Sequence, residues 1–184
     1  MSPAPKRELA EMRDRLVREV ERVIGATDGL GSAQLAWTPG AKGANSLLVL
    51  AAHTVGAVER HILVSIAGRK PSRTRDEEFA DAGDIGAIRA RWDVVKRGVG
   101  DVLDDLPPGR LDEDLPGPVS TRSVHSMIVH AIAHAAEHAG QAELTRDLVC
   151  QVFETYQLDA GPAFDEFGKT VSDVMTGGRP QSEE

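Results

Sequence analysis

Residues 46–68, SLLVLAAHTVGAVERHILVSIAG, narrow the available folds more than any other stretch of this chain. Wound at 100° per residue, the first half is apolar nearly all round, so the helix has no face fit for water and needs other helices about it. Asn45-Ser46 supplies N-capping side chains and Gly68 a C-terminal stop. His53 sits mid-helix in these apolar surroundings, where an imidazole is tolerated only with a polar or metal partner.

Three further helices are legible around it. Leu9, Met12, Leu16, Val20, Val23 and Ile24 repeat at the three-to-four spacing of an amphipathic helix over residues 5–26. Asp84 caps another that runs through Ile85, Ile88, Trp92, Val95, Val99, Val102, Leu103 and Leu106 to Pro107-Pro108-Gly109. The last opens near Ser120-Thr121 and continues through VHSMIVHAIAHAAEHAGQAELTRDLVCQVF. Between them, 25–43 with its five glycines reads as an ordered connector anchored by Trp37, and 69–83 as a charged loop. The irregular segment 107–120 is expected to overhang a site. Beyond residue 150 the pattern suggests a short helical extension over 151–176, its fifth helix carried by Phe164, Phe167, Val171, Val174 and Met175, and a disordered tail over 177–184.

Composition agrees with an all-α fold. The 184 residues suffice for one domain, and 41% hydrophobic with only 4% aromatic residues suits packed helices better than strands. A net charge of −8 with no basic patch argues against nucleic acid as a partner. The longest apolar run, 46–52, is too short to span a bilayer and residues 1–20 lack a secretory core, so no membrane partner and a cytoplasmic location are expected. Cys150 is the only cysteine, which excludes a multi-thiolate metal site and leaves histidine and carboxylate as ligands. It lies about 18 Å along a continuous helix from His138 and reads as an inert buried thiol.

His130, His134 and His138 recur every four residues and form a stripe on one helix face. Two neighbours on such a stripe can chelate one ion, and spacing alone allows either the 130/134 or the 134/138 pair, with His53 as the natural third ligand from a facing helix. His61 and His125 read as ordinary hydrogen-bonded histidines. His134-Ala-Ala-Glu137-His138 also spells the inverted zinc-protease motif, in which a glutamate is general base, although the spacing recurs by chance in Ala- and Glu-rich helices. A di-iron bundle is set aside, since the required Glu-x-x-His pairs are missing. Gln141, three residues beyond His138, could orient an imidazole or a metal-bound water. Arg146 could meet a substrate carboxylate at the mouth or pair with Asp147 or Glu143.

GANSLLVLAAHTVGAVERHIL resembles the second helix of DinB-like proteins, with Asn45, Ser46, His53, Val58 and Glu59 at the matching positions. HAAEHAGQAELTRDL is similar to that family's H-x-x-x-H-x-G-Q helix through His134, His138, Gly140 and Gln141, and LAWTPG at 35–40 resembles its lead-in to the second helix. The likeness covers about residues 5–148. It implies an up-and-down four-helix bundle over 1–150 whose second helix gives one histidine and whose fourth gives two to a divalent metal, commonly zinc or nickel. Carried over, these are His53, His134 and His138, with His130 one turn outside the triad as a flanking residue.

The resemblance also implies a metal-dependent enzyme of the transferase or isomerase type that uses a low-molecular-weight thiol such as mycothiol or bacillithiol. Such a chain needs no cysteine nucleophile of its own. A non-catalytic metal-binding or stress-related module and a metal-dependent hydrolase are the alternatives. Expected partners are a small-molecule substrate or thiol and, from a surplus apolar face on the first helix together with the fifth helix, a second copy in a homodimer.

Overall fold

The computed structural model describes residues 4–80, 82–116 and 121–163. Its helices are α1 (Ala4–Gly25), α2 (Ser32–Ala36), α3 (Leu47–Val58), α4 (Arg75–Ala80), α5 (Ile85–Asp104) and α6 (Val124–Thr155), and two-residue strands β1 (Asp114–Leu115) and β2 (Arg122–Ser123) pair antiparallel. The predicted caps form. Ser46 accepts from the amide of Val49 and Asp84 from that of Ala87, while α6 is capped by Ser123, which accepts from Ser126, slightly later than its sequence suggests. Gly68 closes the second long helix with φ +67, where its amide and that of Arg69 reach back to the carbonyls of Val64 and Leu63.

The long helices α1, α3, α5 and α6 form the expected all-α bundle, and α1 packs most extensively against α6. Their directions follow from cross-helix pairs. Arg22 meets Glu143 while Glu8 meets His125, so α1 and α6 run parallel. Arg13 meets Asp104 and Glu21 meets Lys96, so α5 runs against α1. Arg91 of α5 reaches Glu59 while Gly98 faces Leu63, so α3 and α5 run the same way. The order is therefore up-down-down-up, which departs from strict up-and-down alternation at this one pair. The physical reason is the connection 65–84, long enough to carry the chain back along α3 before α5 begins.

That connection contains α4 where the sequence suggests only a charged loop, and the connector before α3 contains α2. Directly after α3, residues Glu59–Val64 continue as a π-helical turn in which the amide of Ser65 bonds the carbonyl of Arg60. The window 47–64 is long and apolar enough to cross a membrane, yet 72% of it is buried inside the bundle, as a core helix requires. The apolar stripe of α1 is consumed in the same core: Leu9, Leu16, Val20, Val23 and Ile24 are all buried.

Helix α6 passes Cys150 without a break and ends at Thr155, so residues 151–155 belong to the bundle. The chain then turns through Gln157 at φ 51 and docks on the start of α2. The amides of Ser32 and Ala33 bond the carbonyls of Pro162 and Ala160, and Gly31 pairs with Ala163. Gly31 has no alternative here, because a Cβ would overlap the Ala160 carbonyl. The predicted fifth helix and tail, from residue 164 onward, lie outside the described residues.

Arg146 of α6 donates to the carbonyls of both Ala26 and Asp28, tying the turn after α1 to the last helix. Arg146→Met should therefore lower unfolding stability in urea by about 1–3 kcal/mol, the loss expected from leaving two half-buried carbonyls without a charged donor. Metal content should stay at wild type in the same preparation.

Candidate metal centre

Helix α3 and the π-helical turn that continues it run antiparallel to α6, and their facing surfaces carry five of the six histidines. His53, one turn before the end of α3, meets His134 and His138 with ring centroids 5.2 and 5.1 Å away, while His134 and His138 stand 4.4 Å apart. One nitrogen from each of these three side chains can be chosen so that all lie within 4.8 Å of one another. The other pair sits beside them: His61 and His130 approach to 4.9 Å, and each lies 6.2 Å from His134. The 134/138 pair thus joins His53, and His130 flanks the cluster against His61. His125 is remote, 3.6 Å from Glu8 on the surface.

The donor set suits a borderline divalent cation. His138 donates from Nδ1 to the Gln141 side-chain oxygen at 2.8 Å, which leaves Nε2 as an acceptor. That Nε2 is buried with no protein partner. An orphaned ring nitrogen at such a site is the mark of a group that bonds something other than protein. Burial holds the His134 ring neutral far into acid, its pKa lowered to about 3, with His138 and His53 adding repulsion of a proton. Burial likewise lowers His138, against the opposing pull of Gln141. Neutral imidazoles at pH 7 are ready ligands without first losing a proton.

The cluster forms the floor of an open cavity of about 920 Å³. Leu50, Leu144 and Leu148 line it with apolar surface, together with residues of the loop 39–45, Arg75, Phe79 and Thr145. The Phe79 ring lies 4.7 Å from that of His53, and the Arg75 guanidinium lies over the same Phe79 ring, 4.7 Å from its centre. Lys42 and Arg75 are the cations of the lining and Glu137 its acid.

The sequence-derived candidates thus divide. Glu137 and Gln141 line the cavity, whereas Arg146 is engaged by backbone carbonyls and stands outside it. The described part of 107–120 does not reach the cavity either; its residues bond Ile66 and His125 near the far end of α6. The loop 39–45 and α4 contribute to the lining instead, because the crossover connection returns over α3. Glu78, absent from the sequence reading, is wholly buried next to His53, its Oε2 3.5 Å from Nδ1, an electrostatic contact without hydrogen-bond alignment. Nothing in the acidic run DEE distinguishes it from its solvated neighbours.

Two outcomes test this geometry. His53→Ala, His134→Ala and His138→Ala should each lose most of the bound metal by elemental analysis of tag-free protein, while His61→Ala, His125→Ala and His130→Ala keep it near wild type; full occupancy in His53→Ala would remove the three-ligand arrangement. In metal-free protein, burial first, then His130 and Arg60, depress the His61 pKa from 6.5 to about 4. An unfolded chain binds protons that this ring refuses, so stability falls as pH drops from about 6.5 towards 4. The fall in urea midpoint between pH 7 and 5 should shrink in His61→Asn.

The chain's sequence matches the DinB superfamily over residues 8–142. Comparisons with curated proteins and with solved structures give no match. The matched span takes in α3, α4, α5 and all three clustered histidines. On that span, and with the helical bundle around it, the chain belongs to the DinB superfamily.

Proposed function

We propose that this protein is a metal-dependent enzyme in which His53, His134 and His138 hold one divalent ion, zinc or nickel, and the cavity above it admits a low-molecular-weight thiol of the mycothiol or bacillithiol kind. The observation that carries the reading is the shape of the site: three imidazoles converge on the floor of a cavity large enough for a small molecule, rather than on a sealed pocket. A structural metal site is closed by a fourth protein ligand, and among the described residues no fourth His, Cys, Asp or Glu joins this group. When bound, the ion supplies a Lewis acid that favours the ionised form of a thiol or water.

The residues around the site do the binding and shaping. Leu144, Leu148 and Phe79 offer apolar surface, while Lys42 and Arg75 give the rim a positive character suited to an anionic group distant from the sulfur. Gln141 holds the His138 ring with Nε2 free. Cys150 is half-buried and is not part of the lining, so a sulfur nucleophile has to come with the ligand. Glu137 in the lining supports a second reading, a hydrolase in which this carboxylate accepts the proton of a water.

With cobalt in place of the native metal, mycothiol or bacillithiol should produce a sulfur-to-metal charge-transfer band that is lost in His138→Ala. An unchanged spectrum at saturating thiol would falsify the thiol reading and leave the hydrolase, tested by Glu137→Gln, or a non-catalytic binding module.

A further inference from the structure

We propose that Glu78 is a positioning residue for His53, reaching it across a recess that exists only because residue 56 is glycine. The proposal rests on the reading of His53 as a metal ligand and adds what sets its orientation.

Glu78 belongs to α4, outside the four bundle helices, yet it is 0% exposed. Both carboxylate oxygens lie 2.9 Å from Nη1 of Arg60, Oε1 is 3.2 Å from Arg91, and Oε2 faces His53 Nδ1. Two guanidinium groups on one carboxylate are the surroundings of an ionised acid. Glu78 therefore sits at the His53 ring as an acceptor-only carboxylate.

The enclosed nitrogen of His53 is Nδ1, and the residue lines the cavity, so Nε2 is the nitrogen left to a ligand there. A carboxylate facing Nδ1 favours the tautomer with its proton on that atom and the lone pair on Nε2. Gln141 does the same for His138. Two of the three clustered imidazoles are thus turned by a side-chain oxygen behind them, one from their own helix and one from a separate helix.

Gly56 explains how a carboxylate reaches so deep. It lies three residues after His53 on α3, and a Cβ there would overlap the Glu78 carboxylate. Glycine inside a buried helix weakens that helix, so its presence points to close approach by another group. Ala at 56 would displace the end of a flexible side chain and leave the α3 backbone in place, which makes Gly56→Ala the sharper variant: it keeps every ligand and every charge.

The experiment uses the full chain with ¹⁵N-labelled histidine, read by long-range proton–nitrogen spectra of the metal-free protein at pH 7.5, followed by zinc affinity against a chromophoric chelator. Wild type should show His53 protonated on Nδ1. Gly56→Ala and Glu78→Ala should both shift His53 to a mixture of tautomers and weaken zinc by about 10- to 100-fold. Glu78→Gln, whose amide oxygen can accept the same proton, should recover the tautomer and part of the affinity. Arg60→Gln removes an ion pair of Glu78 but not the carboxylate, and should bind zinc within about threefold of wild type if the cited effect belongs to the His53 partner. Wild-type tautomer and affinity in Gly56→Ala overturn the proposal, as does weakened zinc with an unchanged tautomer. If wild type itself binds no zinc, or His53→Ala binds it equally well, the metal reading fails while the tautomer spectra still decide the role of Glu78.

Discussion

The first half of α3 is apolar on every side and must be enclosed, and its enclosure organises the molecule. Helices α1, α5 and α6 pack around it, and α4 with the returning connection covers the remaining side. Within that enclosure His53 is 7% exposed, a polar ring that the apolar neighbours cannot satisfy. The antiparallel approach of α6 brings two more imidazoles to it, and α4 brings a carboxylate. A site of neutral donors backed by one anion results, which retains most of the positive charge of a divalent cation towards the cavity.

Charge is distributed to the same effect. The chain carries a net −8, yet the rim of the cavity presents Lys42 and Arg75 against the single carboxylate Glu137. The two cations oppose the chain's net charge at this opening, where low-dielectric walls of leucine and phenylalanine focus the field. Arg75 is held over the Phe79 ring rather than left to range freely, so its charge is directed as well as present.

The four long helices were legible in the sequence from an apolar period, as in α1 and α5, or from an unbroken apolar stretch, as in α3, and end signals such as Ser46, Asp84 and Gly68 bounded two of them. His53, His134 and His138 were legible because i, i+4 spacing on one helix and a lone histidine inside an apolar helix are both local patterns. What escaped the sequence is tertiary. The short helices α2 and α4 have too few turns to show a period, and the parallel course of α3 and α5 depends on where a connection travels. Glu78 and its neighbour Glu77 look alike in sequence, yet one is buried against His53 and the other caps its own helix through Thr74 on the surface. Arg146 shares an azimuth with His138 but finds carbonyls of the α1–α2 turn within reach first. Only Gly56, an unforced weakness inside a core helix, advertised that something approaches α3 there.

The parallel pairing of α1 with α6 joins the two ends of the bundle in sequence, and this governs the order in which the molecule can be built. As the chain leaves the ribosome, α1 emerges before α6, the helix against which it packs most extensively and whose first residue lies about 100 residues beyond the end of α1. At about 5–20 residues per second, that interval is of order ten seconds. During it the apolar stripe of α1 and the all-round apolar α3 have each other, α5 and the short helices α2 and α4 for cover, but not α6. His53 is likewise made long before His134 and His138, so the nascent chain offers a lone imidazole in place of a chelating set. The three-histidine cluster and the closing of the core both need the same helix, the last of the long helices in chain order.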